Sequence, residues 1–173
     1  AAQVEKVELP SWGSAQVAGQ LLTYDYLWNT VRVQGGAYGV GLNIDSQGEA
    51  RFSSYRDPNP KATLARFQQA GKALRQAAKE DLTNAIISTI GKSQPVLTPH
   101  AQGISEAADT LSGLTHQDRQ RLHTEILTTT SQQLEQLGEQ LTQASVQAGI
   151  CVIGGAGVLE HCRDLLDSQE SLL

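Results

Sequence analysis

Val31-Arg32-Val33-Gln34-Gly35-Gly36-Ala37-Tyr38-Gly39 is the stretch in which the pattern of apolar residues changes from helical to extended. Before it, apolar residues recur every three or four positions, which is typical of an amphipathic helix. After it, they alternate with polar residues, which is typical of a strand. The pair Gly35-Gly36 predicts the end of the helix, because left-handed caps at helix C-termini favour glycine. The stretch therefore predicts a tight turn from a helix into a strand.

The helix before this turn is predicted over residues 16–34. Tyr24, Leu27, Trp28 and Val31 stand at positions i, i+3, i+4 and i+7 of that helix, so they make one apolar stripe. Such a stripe is the face with which an amphipathic helix packs on the rest of a protein.

A β-hairpin is predicted after the turn. Residues 37–45 and 49–55 both alternate between apolar and polar side chains, and Asp45-Ser46-Gln47-Gly48 between them has the composition of a turn. Asn59 and Pro60 then predict the start of another helix, as its N-cap and its first helical residue.

The remaining elements follow from the same patterns. They are a strand over 4–9, a helix from Pro60 to Leu74, a helix over 79–90 with Gly91 as its stop, a loop over 92–103, helices over 104–111 and 115–141, a strand over 148–153, a last helix through Leu159, Cys162 and Leu166, and a fraying tail over 167–173. Thr115 and Asp118 resemble a capping box at the start of the long helix. A mostly antiparallel sheet with long helices packed on one face predicts an α+β fold, a two-layer sandwich.

Composition and charge exclude several classes of function. The chain has 173 residues and a formal net charge of -5, which fits one acidic domain with its own core. It has no basic stripe of the kind that binds nucleic acid and no apolar run near the ~20 residues that span a bilayer, so we expect no nucleic-acid and no membrane partner. Cys151 and Cys162 are the only cysteines and are predicted to be reduced thiols, with Cys151 in a buried strand.

No metal site can be assembled from the motifs of this chain. A zinc hydrolase needs two ligands about one helical turn apart, a third ligand further along the chain and a carboxylate that activates water. The stretch Gly157-Val158-Leu159-Glu160-His161 approaches the inverted His-x-x-Glu-His pattern but has glycine at the first position. His116 and His123 are seven residues apart on a predicted helix, which separates them by ~10 Å along its axis. The chain alone is therefore predicted to bind neither a metal nor another cofactor.

Arg32 and Tyr38 are the candidate functional residues, on either side of the glycine turn. Taken singly, they also fit a solvated cation at a helix end and a half-buried aromatic in a strand. As a pair, they offer a guanidinium and a phenol, and both groups donate hydrogen bonds. Donors fixed where a carbonyl becomes an oxyanion stabilise the tetrahedral state of acyl transfer. Arg56 and Asp57, beside Pro58, predict a local turn or ion pair.

A second phrase, Phe52-Ser53-Ser54-Tyr55-Arg56-Asp57-Pro58, follows the first one closely. Together the two phrases resemble the C-terminal half of clamshell zinc peptidases, in the presequence-protease branch of the pitrilysin/insulinase family. The stretches 26–32, 84–91 and 111–115 are similar to the same family, so the resemblance extends over nearly the whole chain.

The resemblance implies a full enzyme whose two similar halves enclose a chamber. Zinc is expected in the first half, on an inverted His-x-x-Glu-His motif and a distal Glu, and this chain does not contain that half. Residues 1–173 are expected to be the single domain that closes over an unfolded peptide substrate, with Arg32 and Tyr38 at the scissile carbonyl and its oxyanion. The fragment alone is predicted to be inactive.

The expected partners are peptide substrates and the missing N-terminal half of the same protein. Apolar surface that faces this half could also drive self-association of the fragment. The expected compartment is the cytoplasm if the source is bacterial and an organelle matrix if it is eukaryotic. The alternative function is that of a non-catalytic, peptidase-like subunit that binds peptides or partner subunits.

Overall fold

An antiparallel sheet forms one layer of the molecule. The computed structural model describes residues 1–80 and 82–170. The strands of the sheet lie in the order β2-β3-β1-β4, and they are β1 (Ala2–Lys6), β2 (Gly39–Ile44), β3 (Glu49–Tyr55) and β4 (Gly149–Cys151). The predicted hairpin is confirmed as β2 and β3. In its turn, the Asp45 carboxylate accepts hydrogen bonds from the backbone N–H groups of Gln47 and Glu49, at 2.8 and 2.9 Å.

Helices form the second layer. They are α1 (Trp12–Leu21), a π-helix (Leu22–Val33), α2 (Pro60–Gln68), α3 (Ala70–Ala77), α4 (Thr83–Ser93), α5 (Pro99–Ser112), α6 (His116–Leu127), α7 (Ser131–Ala144) and α8 (Ala156–His161), with 3₁₀ turns at Ser145–Gln147 and Arg163–Leu165. The predicted α+β class is confirmed. None of the helices in residues 1–80 and 82–170 combines the length and the apolar character that a membrane span needs.

The hydrophobic core lies between the sheet and the helices. Phe52 of β3 and Phe67 of α2 are buried and stack with their ring centroids 5.2 Å apart. The helices α3 and α7 cross closely at Gly71 and Gly138, where a Cβ added to either glycine would meet the backbone carbonyl of the other. A larger residue at this crossing would therefore push the two helices apart.

The central strand β1 turns polar residues towards the core. Gln3 is fully buried and Glu5 is 5% exposed, whereas Val4 is 37% exposed on the opposite face. The Gln3 side-chain amide donates a hydrogen bond to the Glu5 carboxylate at 2.8 Å. Burial nevertheless raises the pKa of Glu5 from its ordinary value of 4.5 to about 7. The strand predicted over 4–9 is β1 at Ala2–Lys6, so it starts and ends earlier in the chain than predicted.

The long helix predicted over 115–141 is two helices, α6 and α7, separated by Thr128, Thr129 and Thr130. The hydroxyl of Thr130 accepts a hydrogen bond from the Gln133 N–H, and the Gln133 side chain accepts one from the Thr130 N–H. This second capping box starts α7 and explains the break. The predicted capping box of Thr115 and Asp118 is confirmed at the start of α6.

The predicted loop over 92–103 is too long at both of its ends. The helix α4 does not stop at Gly91 but continues to Ser93, and α5 begins at Pro99. The reason for the early start of α5 is an N-cap, since the Thr98 hydroxyl accepts a hydrogen bond from the Ala101 N–H at 3.3 Å.

Three other helix boundaries differ from the prediction. The helix predicted from Pro60 to Leu74 divides at Gln69 into α2 and α3, and α4 begins at Thr83 rather than at residue 79. At the C-terminus, α8 ends at His161, before Leu166.

The two cysteines differ in their surroundings. Both are free thiols, but Cys151 is exposed on an edge strand rather than buried as predicted, whereas Cys162 is fully buried after α8. Of the tail predicted over 167–173, residues 171–173 lie outside the described residues.

Candidate functional site at the helix-to-strand turn

The helix that leads into the turn is a π-helix of twelve residues. Such helices, with hydrogen bonds from residue i to residue i−5, are rare; most are single turns within α-helices, frequently at functional sites. Its buried residues are five and four positions apart, at Leu22, Leu27 and Val31. This wide spacing is the sequence signal that an α-helical interpretation overlooks.

Tyr24, Trp28 and Arg32 lie on a second, more exposed face of the π-helix, each four positions from the next. The rings of Tyr24 and Trp28 stack at a centroid distance of 6.2 Å, and the guanidinium carbon of Arg32 lies 3.8 Å from the centroid of the Trp28 ring. Tyr24 is 51% and Trp28 37% exposed, whereas Leu27 and Val31 are buried. The predicted single stripe is therefore wrong, because the wider turns of the π-helix separate its four residues onto two faces.

The turn itself is fixed by glycines and nested backbone hydrogen bonds. Gly36 has a φ of 80°, in the left-handed region expected for a glycine cap. Its N–H donates to the Arg32 carbonyl at 3.0 Å, and the Ala37 N–H donates to the Val31 carbonyl at 3.2 Å. At Gly35, a Cβ would collide with the Val31 carbonyl, so the chain can approach its own helix only without a side chain there. The predicted end of the helix at the two glycines is confirmed, and the backbone of Arg32 is part of this cap.

Tyr38 packs against the end of β3 and is hydrogen-bonded to it through its backbone N–H. Its backbone N–H is shared between the carbonyls of Tyr55 and Arg56, at 3.1 and 3.3 Å. Its ring meets the Tyr55 ring edge-on with 6.1 Å between the centroids, and the Arg56 guanidinium carbon lies 5.8 Å from the Tyr38 ring centroid. Tyr38 as a whole is 65% exposed. Arg56 has a φ of 46°, the one positive φ of a non-glycine residue in the described part of the chain, which marks local backbone strain.

The residues after Arg56 tie the two sequence phrases together. Asp57 accepts hydrogen bonds from the Ser54 hydroxyl at 2.7 Å and from the Asn59 N–H at 2.9 Å, so the predicted local turn is confirmed. The Asn59 side-chain amide donates to the Gly35 carbonyl at 3.2 Å. Asn59 is at the N-cap position of α2 as predicted, but its side chain does not cap that helix. It holds the glycine turn instead.

The resulting surface presents two hydrogen-bond donors, the Arg32 guanidinium and the Tyr38 hydroxyl, whose side chains have no hydrogen-bond partner among residues 1–80 and 82–170. In the described part of the chain, Arg32 makes no ion pair with a carboxylate. The structure places Arg32 and Tyr38 at opposite ends of one hydrogen-bonded turn, each against its own aromatic neighbour, Trp28 and Tyr55 respectively. A guanidinium and a phenol in such positions can donate to a carbonyl or to an oxyanion brought in from outside.

A second concave region lies between the end of α4, α5 and α6. This cavity has a volume of about 590 Å³, and Arg119 and His123 are among its lining residues. Arg119 already forms ion pairs with Glu106, at 3.8 Å, and with Asp109. Because its cation is neutralised within the domain, the cavity offers less to an incoming carbonyl than the turn does.

The histidines and acidic residues do not assemble a metal centre in residues 1–80 and 82–170, where no group of three or more possible ligands comes together. His161 of the near-match motif contacts the Gly157 carbonyl of its own helix through Nδ1, at 2.6 Å.

Comparisons with known proteins find relatives over most of the chain, including the helix-to-strand turn. The model of the family described as PreP C-terminal domain matches residues 10–155. Protein HypA of Clostridium perfringens is 32% identical over 163 residues, which are 93% of this chain and 17% of that protein. Presequence protease 1, chloroplastic/mitochondrial, of Arabidopsis thaliana is 43% identical over 120 residues, 68% of this chain and 11% of that protein.

Among solved structures, a crystal structure of pitrilysin has a similar fold, with a TM-score of 0.59 and 17% sequence identity over 84% of this chain and 17% of that chain. The chain thus spans between 11 and 17% of the length of these relatives.

Proposed function

This chain belongs to the PreP C-terminal domain family, and we propose that it acts as the substrate-closing domain of a longer zinc endopeptidase that degrades unfolded peptides. On this proposal, residues 1–173 are a single domain, and the zinc-binding half is another part of the same protein. The presequence proteases among the relatives are proteases by name, which supports a role in peptide hydrolysis.

The observation that carries the proposal is the pair of free donors at the rigid turn. Arg32 would donate to the carbonyl of the bound peptide, and Tyr38 would donate to the oxyanion as it forms. The nested bonds of the glycine cap and the amide of Asn59 keep the backbone of both residues in place before substrate arrives. Donors that are already oriented are worth more than donors that must reorganise, and the loss of one costs roughly 10²–10³ in rate.

The described residues of this chain do not fit zinc, because they bring no three possible ligands together. In a zinc peptidase the metal activates the attacking water, so that part of the chemistry would belong to the other half. What this chain contributes, on the proposal, is binding and orientation of the peptide. Residues 1–173 alone should therefore not cleave peptides.

The experiment compares cleavage of an unstructured peptide by residues 1–173 and by the full-length protein, each with and without a zinc chelator. We expect cleavage by the full-length protein alone, and we expect the chelator to abolish it. Cleavage by the isolated chain would contradict the division of labour between the halves, and chelator-resistant cleavage by the full-length protein would contradict the zinc mechanism.

The same experiment addresses the second candidate function, a non-catalytic subunit that binds peptides or partners. This candidate is favoured if the full-length protein binds the peptide but leaves it intact under every condition. The upstream sequence gives an independent check, since an intact His-x-x-Glu-His motif supports the enzyme.

The proposed compartment follows from the source of the protein. Several relatives are mitochondrial or chloroplastic by name, which supports an organelle matrix for a eukaryotic source, whereas the cytoplasm is proposed for a bacterial one. Self-association of the isolated domain, through apolar surface meant for the other half, would appear as a concentration-dependent sedimentation coefficient.

A further inference from the structure

We propose that Trp28 is a positioning residue for Arg32, and that Tyr24 supports it as the second ring of an aromatic platform. The inference rests on the proposed function, in which Arg32 binds the peptide carbonyl. It adds a residue that does not touch the reacting atoms but determines where the guanidinium of Arg32 is held.

The contact between the two side chains is close. The guanidinium carbon of Arg32 lies 3.8 Å from the Trp28 ring centroid, well inside the range of about 6 Å in which a cation is attracted by an aromatic face. Tryptophan is the strongest partner for this interaction, and arginine stacks on rings with its flat face. The N–H donors of a guanidinium lie around its edge, so stacking orients the group and leaves these donors available.

An aromatic partner can hold the arginine side chain in place without occupying its hydrogen-bond donors, which a carboxylate cannot do. A long arginine side chain needs an anchor to stay in one place, because it has many rotamers to lose. An Asp or Glu would provide that anchor but would also occupy the donors and neutralise the charge. Arg32 has no such ion pair in residues 1–80 and 82–170, and the ring of Trp28 takes that place.

The π-helix explains how a tryptophan comes to stand at the surface beside Arg32. The buried residues of this helix are spaced by five and four positions, which leaves the positions of Tyr24, Trp28 and Arg32 together on another face. The two rings stack at 6.2 Å with an angle of 29° between their planes. Tyr24 and Trp28 are 51% and 37% exposed, so each large aromatic side chain keeps a substantial accessible area at the surface beside Arg32.

The test measures kcat/KM for peptide cleavage in the full-length protein with Trp28→Phe, Trp28→Leu and Arg32→Ala, and with the double variant Trp28→Leu/Arg32→Ala. Leucine keeps an apolar side chain but has no aromatic face. We expect Trp28→Leu to lower kcat/KM by roughly three- to thirtyfold, and Trp28→Phe to recover part of the loss. The matched control is Val33→Ala, which trims an exposed apolar side chain next to Arg32 and should leave kcat/KM unchanged.

The double variant separates positioning from other roles. If Trp28 acts through Arg32, Trp28→Leu should cost nothing further once Arg32 is alanine. If Trp28→Leu lowers kcat/KM equally with and without Arg32, the ring acts on its own and the inference is overturned. Wild-type activity of Trp28→Leu would overturn it as well. If Arg32→Ala itself leaves kcat/KM unchanged, the proposed function fails and the inference fails with it. A loss in Arg32→Ala without a loss in Trp28→Leu overturns the inference alone.

Discussion

Arg32 and Glu5 are both ionisable residues without an ion pair in the described part of the chain, but they lie in opposite environments. Arg32 is partly exposed on the face of Trp28, at the end of a helix. Glu5 is buried on the central strand, with the amide of Gln3 as its hydrogen-bond partner. An unpaired charge at the surface costs the fold little, whereas an unpaired charge in the core is expensive. The comparison separates a residue available for function from one that limits stability.

The largest expected effect is that of Arg32→Ala on activity. We expect kcat/KM of the full-length protein to fall by roughly 10²–10³, because a pre-oriented donor to the peptide carbonyl is lost. The melting temperature should change little, since Arg32 makes no ion pair with any of the described residues. Arg163→Ala removes another exposed cation and serves as the control. A large loss of stability with unchanged activity would show that Arg32 serves the fold rather than the reaction.

The next effect is that of Glu5→Gln on stability. The pKa of Glu5 is about 7 in the folded protein and 4.5 when unperturbed, so its contribution to stability is fully present below pH 4.5 and is lost as the pH rises through 7. Glutamine cannot ionise, so the variant should be more stable than the wild type at pH 8, on the order of 2–3 kcal/mol, and this difference should shrink to about 1 kcal/mol or less at pH 5.

Urea unfolding at pH 5 and pH 8 measures this difference, with Glu8→Gln as the exposed control. The buried side chains of the helices that pack on β1 are uncharged: Thr63, Leu64 and Phe67 from α2, and Leu134, Leu137 and Leu141 from α7. If the free energy of unfolding of Glu5→Gln and that of Glu8→Gln depend on pH in the same way, Glu5 is not the group that causes the loss of stability at high pH.

The smallest expected effect is that of Asn59→Ala, which removes the hydrogen bond to the Gly35 carbonyl. We expect a loss of about 0.5–1.5 kcal/mol in the free energy of unfolding. Activity should also fall several-fold, because the turn that carries Arg32 and Tyr38 loosens. Asn43→Ala, at an exposed position of β2, is the matched control. A loss of stability without any loss of activity would mean that the turn does not depend on this bond for its function.

Much of the fold could be predicted from local patterns. The strand over Glu49–Tyr55 and the capping box of Thr115 and Asp118 have the predicted bounds, because each is determined by residues close in sequence. The caps at Thr98 and Thr130 are equally local. Thr98 lies in a stretch where Pro95 and Pro99 predicted a loop, and Thr130 lies within an apolar pattern that predicted one continuous helix. Polarity alone could not place Glu5 in the core, since burial on a central strand depends on which helices cover it.

The candidate site could be located but not described from the sequence. The glycine pair indicated the turn, so Arg32 and Tyr38 were placed correctly on either side of it. The contact of Arg32 with Trp28 was out of reach, because an α-helical pattern assigns Trp28 to the buried stripe and only the π-helix brings it to the surface. The support of Tyr38 by Tyr55 and Arg56 depends on strand pairing across the hairpin, which sequence spacing does not fix.

Tyr38→Phe in the full-length protein determines whether the exposed donors of the turn act on the peptide. This variant removes one hydroxyl and keeps the ring that packs on Tyr55. We expect kcat to fall by roughly 10²–10³ while KM and the melting temperature change little, because the hydroxyl acts on the oxyanion rather than on the bound peptide. An unchanged kcat would remove Tyr38 from the mechanism and would show that its hydroxyl does not bind the oxyanion.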